Sequence, residues 1–312
     1  MKKYNLSYIL GITLVATLGG LLFGYDTAVI SGAEKSIQKY LIDSLNLSAF
    51  AHGATVSSAL IGCIIGGAIS GFLANHFGRK NTLLFAGFLF FTSALGSGYP
   101  EFLFFEKGEP SIGLLLMFNF YRVWGGIGVG LASAVSPTYI SEVSPAEIRG
   151  RLVALNQFAI IFGMLVVYFV NWGIANGQPL AWIDSIGWRY MFLSEAVPAG
   201  LFFLLLFLVP ETPRYLALSN QNDKAIHVLS KINNSKEKAQ TILAEIEQSI
   251  REVSKGKLFS YGKKVIIIGI LLSVFQQFVG INVALYYAPR IFESMGAAKD
   301  ASMFQTIVMG LV

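Results

Sequence analysis

Seven long apolar runs dominate this 312-residue chain. A bilayer core about 30 Å thick needs about 20 apolar residues per helix. Only 13% of the residues are charged, whereas soluble domains carry about 25%, so lipid must cover part of the surface. We therefore predict an all-α membrane protein. Its expected spans are Tyr8–Ser31, Thr55–Asn75, Asn81–Ser97, Ile112–Tyr139, Val153–Ala175, Arg189–Val209 and Val265–Tyr287, and an eighth begins near Met303.

Lysine and arginine are distributed unevenly between the connections. With the N-terminus inside, 16 of the 23 lie on the cytoplasmic side, 6 on the outer side and one, Arg122, within a span. Cytoplasmic loops of membrane proteins carry such an excess. We predict a multi-pass protein of the cell's inner (plasma) membrane, surrounded by lipid, with a cytoplasmic N-terminus. Topology explains the net charge of +5, so no nucleic-acid partner is expected.

The connection after the sixth span is long and polar. Within it, Asp223–Ser230 and Gln240–Val253 are predicted to form amphipathic helices, because Ile242, Ile246 and Ile250 fall on one face by i, i+4 spacing. Six spans, a cytoplasmic helical linker and further spans are the plan of transporters with two six-helix halves. The expected units are an N-terminal six-helix bundle at 1–210, the linker at 211–262 and the start of a C-terminal bundle at 263–312.

Three ionisable residues interrupt the apolar runs, and a charge at mid-membrane costs at least about 2.5 kcal/mol. Asp26 in the first span and Arg122 in the fourth are expected to pair. The pair is either a structural lock between two helices or a switch, because a proton neutralises an aspartate. Glu195 lies in a span predicted to begin near Arg189, which would leave it within reach of outside water.

Span seven carries a second polar group: Gln276, Gln277, Asn282 and Tyr286. A straight helix does not bring all four to one face at 100° per residue, but a break at Gly280 would. Asn156 and Gln157 add amides on the fifth span. Neutral hydrogen-bonding groups suit an uncharged ligand rich in hydroxyls. The alternative is that they form hydrogen bonds between helices.

Two series of small residues at i, i+4 and i+8 predict close helix packing: Gly62, Gly66 and Ser70 in span two, and Gly126, Gly130 and Ala134 in span four. The sequence lacks a G-x-x-x-x-G-K-[ST] motif, so a gradient rather than ATP should supply the energy. One cysteine and three scattered histidines exclude a disulfide scaffold and a standard zinc site. We expect no enzyme activity, no cofactor and no bound metal.

Seven segments together resemble the sugar porters of the major facilitator superfamily, most closely the bacterial D-xylose–proton symporters: Gly19–Gly32, Phe77–Lys80, Tyr121–Gly130, Pro145–Gly150, Asn156–Gly163, Pro210–Arg214 and Phe275–Asn282. The resemblance covers essentially the whole chain. It implies the major facilitator fold of twelve spans, of which about eight are present. The C-terminal bundle is therefore expected to be truncated, either in a fragment or in a shortened gene product.

The resemblance also implies three groups of functional residues. Sugar hydroxyls would be bound by Gln157, Gln276, Gln277 and Asn282, with Phe23 and Tyr286 lining the cavity. Proton coupling would use Asp26 paired with Arg122 and modulated by Glu195. Salt bridges of a cytoplasmic gate would involve Arg79, Lys80, Glu142, Arg149, Glu211 and Arg214.

Two positions depart from the family pattern. Asn75 stands where the loop between spans two and three usually has an aspartate, so one inner charge contact is expected to be absent. Met164 stands where the most similar relatives have a glutamine facing the sugar. A thioether is a weak acceptor and no donor, so Met164 would move the preference away from xylose.

We therefore expect a proton-coupled importer of a monosaccharide, xylose or a similar pentose or hexose, that works by alternating access. At full length it would act as a monomer. Two alternatives remain. One is a facilitative uniporter, against which Asp26 argues because facilitative relatives tend to carry a neutral residue there. The other is a transporter-like sugar sensor.

Overall fold

The computed structural model describes residues 4–102, 109–253 and 262–311, and these ranges contain helices and no strand. Within them, seven helices are long and apolar enough to cross a membrane, judged by length and composition. The predicted all-α fold is confirmed. The first six of these helices are α1 Leu6–Ile37, α2 Ala49–His76, α3 Arg79–Gly98, α4 Ile112–Val143, α5 Arg149–Ala175 and α6 Leu180–Leu206.

Glycines set the closest helix contacts. An added Cβ at Gly62 of α2 would overlap the carbonyl oxygen of Val123 in α4, and one at Gly126 of α4 would overlap that of Ala59 in α2. Gly24 of α1 and Gly163 of α5 meet the facing backbone in the same way. The close approach predicted from the small residues of spans two and four is therefore confirmed, and α1 packs on α5 as α2 packs on α4.

The sixth span begins earlier than predicted. Helix α6 starts at Leu180, not at Arg189, and Arg189 is buried inside the bundle. The Arg189 guanidinium donates to Glu101 Oε2 at 2.6 Å. Its charge is therefore balanced by a carboxylate within the protein and is not solvated by water. Helix α6 is interrupted at Glu195, three residues before Pro198, which has no N–H to continue the hydrogen-bond pattern.

The core divides into two buried clusters along α1. One cluster contains Leu22 and buried residues towards the N-terminal end of this helix. The other begins at Tyr25 and continues past the end of α1 to Ile42. Asp26 therefore lies near the level at which the two clusters meet, in the middle of the bundle.

Three helices follow the six-helix bundle: α7 Pro213–Leu218, α8 Asn222–Asn233 and α9 Lys236–Val253. The two predicted amphipathic helices are confirmed as α8 and α9. Ile242, Ile246 and Ile250 pack against one large cluster of buried apolar residues, which contains Leu22 of α1. The backbone N–H of Asn5 donates to the Ile232 carbonyl at 2.9 Å, which joins α8 to the start of α1. Residues 254–261, the end of the predicted linker, lie outside the described residues.

The seventh span is broken at the predicted position. Gly280 has φ +77° and separates α10 Lys263–Phe278 from α11 Ile281–Tyr286. Two shorter helices follow, α12 Ala288–Ser294 and α13 Lys299–Leu311, the latter containing the apolar run expected near Met303. Helices α11 and α12 pack on α1, and α13 packs on α5.

Candidate transport site

An ion pair between α1 and α4 lies at the centre of the bundle. Arg122 Nη1 donates to Asp26 Oδ1 at 2.5 Å, and both side chains are 2% exposed. Arg122 Nη2 also lies 3.4 Å from the Asp26 carbonyl oxygen. The pairing expected from the sequence is present. In so buried a position, removing one partner would leave an uncompensated charge, which typically costs about 3–5 kcal/mol.

Glu195 completes a buried group of two acids and one base. It lies against the Asp26 carboxylate and interacts electrostatically with Arg122, and it is 1% exposed. The expectation that outside water reaches Glu195 is wrong, because α6 begins well before Arg189 and carries Glu195 into the bundle. Among the described residues, Glu195 Oε1 has no hydrogen-bond donor. Two carboxylates in contact can form a hydrogen bond only when one of them carries a proton.

Aromatic side chains enclose this acid–base group. The Arg122 guanidinium lies over the Phe192 ring at 5.2 Å, and the Tyr25 hydroxyl is 2.7 Å from Ser194 Oγ, beside Glu195. Tyr286 of α11 is buried and interacts electrostatically with Arg122 and Asp26. The enclosure excludes water, which strengthens charge interactions. A change in protonation therefore acts directly on the contact between α1 and α4.

Two of the span-seven amides meet across the helix break. Asn282 Nδ2 donates to Gln277 Oε1 at 2.9 Å. Gln276 and Gln277 are exposed on α10, while Asn282 is half-buried and Tyr286 is buried. The helix break thus brings the amides of Gln277 and Asn282 into contact, and the helix that follows it places Tyr286 beside the Asp26–Arg122 pair.

The remaining predicted sugar ligands are spread over α1 and α5. Phe23 is half-buried against the core cluster that contains Leu22, and Gln157 is exposed. Met164 is half-buried against the other core cluster, which contains Tyr25 and Tyr286. Asn156 is buried beside Gly20 of α1, so the two amides of span five have different surroundings.

Where α2 meets α3, Arg79 is the centre of a hydrogen-bond network. Its Nη2 and Nε donate to Glu142 Oε1 at 2.9 and 3.2 Å, and Nη1 donates to the Ala74 carbonyl oxygen at 3.0 Å. Asn75 Oδ1 also lies 3.4 Å from Nη1. The absence of an aspartate at position 75 therefore removes a charge but retains a long hydrogen bond.

Glu211 caps the start of α3. Its carboxylate accepts from the backbone N–H groups of Arg79 at 3.1 Å, Lys80 at 3.0 Å and Thr212 at 2.8 Å. Burial raises the pKa of Glu211, and these three donors together with the Arg79 charge act in the opposite direction. Gly78, with φ +94°, has no side chain to collide with this carboxylate. The predicted gate residues Arg79, Lys80, Glu142 and Glu211 are thus brought together.

The other two predicted gate residues have different partners. Arg149 Nη2 donates to the Ser144 carbonyl oxygen at 3.3 Å, and Arg214 Nη1 donates to Ser249 Oγ at 3.4 Å. Both line one cavity of about 760 Å³, together with Glu142, between the α4–α5 connection and α9. In the described residues, Glu142 Oε2 has no hydrogen-bond partner.

A charged cluster at the opposite end of the bundle was not identified from the sequence. It joins Glu34 and Lys35 at the end of α1 to Arg290 and Glu293 of α12. The available signal was the reciprocal order of charges, acid–base at 34–35 and base–acid at 290 and 293. In the topology prediction, Lys35 and Arg290 are two of the 6 basic residues assigned to the outer side.

Comparisons with known proteins agree with this architecture. The profile of the family described as sugar (and other) transporter matches residues 12–312. The D-xylose–proton symporter of Escherichia coli K12 is 50% identical, over 99% of this chain and 65% of its own length. The arabinose–proton symporter of Bacillus subtilis 168 is 38% identical, over 100% of this chain and 64% of its own length.

Solved structures of the xylose transporter XylE of E. coli match as well. The structure with bound 6-bromo-6-deoxy-D-glucose aligns with a TM-score of 0.90 and 49% identity, over 99% of this chain and 67% of that chain. A partially occluded inward-open structure aligns with a TM-score of 0.88 and 48% identity, over 97% of this chain and 70% of that chain.

The helical bundle, in which seven described helices are long and apolar enough to cross a membrane, has the fold of the major facilitator superfamily and makes this a multi-pass membrane protein. Within that class, the chain belongs to the sugar transporter family, and not to a class of enzymes. The chain spans about two thirds of the length of the first curated relatives, 65% and 64%.

Proposed function

We propose that this chain is part of a proton-coupled monosaccharide importer that works by alternating access. The observation that carries the proposal is the contact of Glu195 with the Asp26–Arg122 pair in the middle of the bundle. With one base between two acids, a proton is needed to make the group neutral, so proton binding and the α1–α4 contact are linked. Protonation of Asp26 would loosen the pair with Arg122 and permit the two halves to rock.

The proposed sugar site consists of Phe23, Gln157, Met164, Gln276, Gln277, Asn282 and Tyr286. Supporting this, Tyr286 adjoins the Asp26–Arg122 pair, and Asn282 and Gln277 present amides at the break in span seven. Amides pair well with neutral hydroxyls. The names of the most similar relatives, D-xylose–proton and arabinose–proton symporters, support a pentose as the substrate.

The proposed cytoplasmic gate consists of Arg79, Lys80, Glu142, Arg149, Glu211 and Arg214. The Arg79–Glu142 contact supports it. We further propose the division into a bundle at 1–210, a linker at 211–262 and a second bundle beginning at 263. The excess of basic residues in the connections on the same side as the N-terminus supports a cytoplasmic N-terminus in the inner membrane, with lipid around a monomer and no nucleic-acid partner.

A facilitative uniporter is the second candidate. A glucose facilitated diffusion protein of Zymomonas mobilis is 35% identical over 96% of this chain. Asp26 argues against this candidate, because a buried carboxylate is not required when no proton moves.

The test is uptake of labelled xylose, arabinose and glucose into proteoliposomes that contain the protein at its natural length. A symporter accumulates sugar above the outside concentration when the outside is acidic, and a protonophore abolishes this accumulation. Equilibration without accumulation, unaffected by the pH gradient, would identify a uniporter. Sugar binding without any uptake would identify a sensor.

A further inference from the structure

One carboxylate oxygen at the end of α1 faces two bases from different parts of the chain. Glu34 Oε1 is 2.7 Å from Arg290 Nη1 of α12 and 3.2 Å from His52 Nε2 of α2. The side chains of Glu34 and His52 are 2% and 8% exposed, whereas that of Arg290 is 45% exposed. Glu34 and His52 belong to the first six spans, and Arg290 follows the seventh.

A second ion pair of opposite polarity adjoins the first. Lys35 pairs with Glu293, which also accepts a hydrogen bond from Ser302 Oγ at 3.2 Å. Arg290 Nη1 donates in addition to Gln38 Oε1 at 2.9 Å. A cavity of about 10 Å³, on the order of a single water site, lies between these residues of α1 and α12. At this end of the bundle the segment after span seven is therefore closed against α1 by charge pairs.

We propose that Glu34, His52 and Arg290 form an outer latch that external acid releases. The inference rests on the alternating-access function and on the orientation proposed above, which put this end of the bundle outside. Opening the outer mouth requires α12 to leave α1, and the Glu34–Arg290 contact must break when it does.

The position of His52 determines the direction in which pH acts on the latch. Histidine is the side chain that ordinarily gains or loses its charge between pH 5 and 8. Neutral His52 leaves the Glu34 charge to Arg290. Protonated His52 supplies a second cation at the same oxygen, which both satisfies Glu34 from within the first bundle and repels Arg290. Acid therefore weakens the bond between the two parts.

The groups that face this histidine are Glu34 on α1, Arg290 on α12 and Tyr287, whose ring meets the imidazole edge-on with 6.3 Å between centroids. Glu34 and Arg290 are the charged groups at the imidazole, and the adjoining Lys35–Glu293 pair adds no net charge to them. Within the described residues, the Lys35–Glu293 pair has no histidine among its ion-pair and hydrogen-bond partners. It should hold the mouth closed without responding to pH in this range.

The test is the distance between spin labels at Asp43→Cys and Met295→Cys, two exposed positions on either side of the proposed mouth. The measurement uses the protein at its natural length, without other reactive cysteines, in nanodiscs. An Asp26→Asn background removes the protonation of the coupling carboxylate. The fraction of short distances is compared at pH 8.0 and pH 5.5.

We expect the closed fraction to fall at least twofold at pH 5.5 in this background, and to stay at its pH 8.0 value when His52→Gln is added. Arg290→Gln should lower the closed fraction at both pH values. Two matched controls are Lys35→Gln, which should open the mouth but keep the pH response, and His227→Gln on the linker, which should change nothing. Circular dichroism and gel filtration establish that each variant is folded.

An unchanged pH response in His52→Gln, or an unchanged closed fraction in Arg290→Gln, would overturn the latch. Because the distances are measured without sugar or transport, they do not depend on proton-coupled uptake. If the protein shows this pattern but does not accumulate sugar, the latch proposal stands and the proposed symport function is wrong. If it accumulates sugar but does not show the pattern, the symport proposal stands and the latch proposal is wrong.

Discussion

Asn282 donates a hydrogen bond to Gln277 across the helix break at Gly280, with 2.9 Å between the amide nitrogen and oxygen. Five residues apart on a continuous helix, the two side chains would point about 140° apart. The break therefore brings two amides from different faces into one polar surface.

The first prediction concerns these amides. Asn282→Ala and Gln276→Ala should each weaken sugar binding by about 1–3 kcal/mol, because hydroxyls of the bound sugar lose their partners. Isothermal titration calorimetry on the protein at natural length measures the change. Ser273→Ala, which alters a hydroxyl bonded to its own helix at Gly269, is the matched control. Unchanged affinity in both amide variants would mean that they only connect helices.

The second prediction concerns the break. Gly280 has φ +77°, a conformation that costs an alanine about 1–2 kcal/mol. An added Cβ meets no atom within 4 Å, so backbone strain is the whole effect. Gly280→Ala should weaken sugar binding roughly 5–30-fold, the equivalent of that strain. Gly269→Ala, in the same span and equally free of contacts, should bind sugar normally. Normal binding by Gly280→Ala would show that the break does not position the site.

The sequence predicts the spans, the break and the Asp26–Arg122 pair because each follows from a strong local constraint. Apolar runs of this length must be buried in lipid, glycine tolerates positive φ, and isolated charges in a bilayer are expensive. Each of these constraints follows from the type of residue at a position, and it can be recognised without knowing which distant residues that position contacts.

The start of α6 and the outer charge cluster depend instead on partners far away in sequence. Arg189 resembles a boundary charge until Glu101, 88 residues away, is seen to neutralise it. Glu34 meets Arg290, 256 residues away, through the packing of α12 on α1. Periodicity and composition contain no information on such pairs, because both residues are ordinary at a span end.

The third prediction concerns coupling. Asp26→Asn should abolish uphill uptake, because the side chain can no longer change its charge, while sugar binding survives, since asparagine keeps the size and a hydrogen bond. Proteoliposome uptake with and without a pH gradient measures both properties. Asp223→Asn on the exposed part of the linker is the control and should accumulate sugar normally. Uphill accumulation by Asp26→Asn, with the usual dependence on external acid, would contradict the assignment.

The fourth prediction concerns Glu211 of the proposed cytoplasmic gate, whose pKa is raised from 4.5 chiefly by burial. The folded protein then holds a proton that the unfolded chain has already lost. Stability from this group is therefore complete below pH 4.5 and is lost as the pH rises through the higher folded value. Glu211→Gln has no such pH-dependent loss of stability. The difference between its melting temperature and that of wild type should therefore increase with pH from about 4.5 upward.

Thermal unfolding in detergent at several pH values measures that trend. Replacing one carboxylate oxygen also lowers the stability by an amount that does not depend on pH. The informative quantity is therefore how the difference in melting temperature between variant and wild type changes with pH, and not its absolute value. Glu245→Gln removes a carboxylate on the exposed face of α9 and serves as the control. Parallel pH profiles for wild type and Glu211→Gln would show that this carboxylate does not titrate in the window.

The fifth prediction concerns sugar preference and Met164. The side chain is half-buried against the cluster that contains Tyr286, on the helix that also carries Gln157. A sugar hydroxyl facing a thioether is poorly satisfied, whereas a ring carbon or a bulkier apolar edge is accepted. Preference should therefore move from xylose towards a hexose or another pentose.

Met164→Gln should raise xylose affinity by about 0.5–1.5 kcal/mol, the usual net value of one hydrogen bond. Competition uptake in vesicles across a panel of pentoses and hexoses provides the ranking for both proteins. Met117→Gln, at a half-buried position of α4 outside the proposed sugar site, is the control and should leave the ranking unchanged. If wild type and Met164→Gln rank and bind the sugars identically, Met164 packs against neighbouring helices, where methionine is a common filler, and it does not determine specificity.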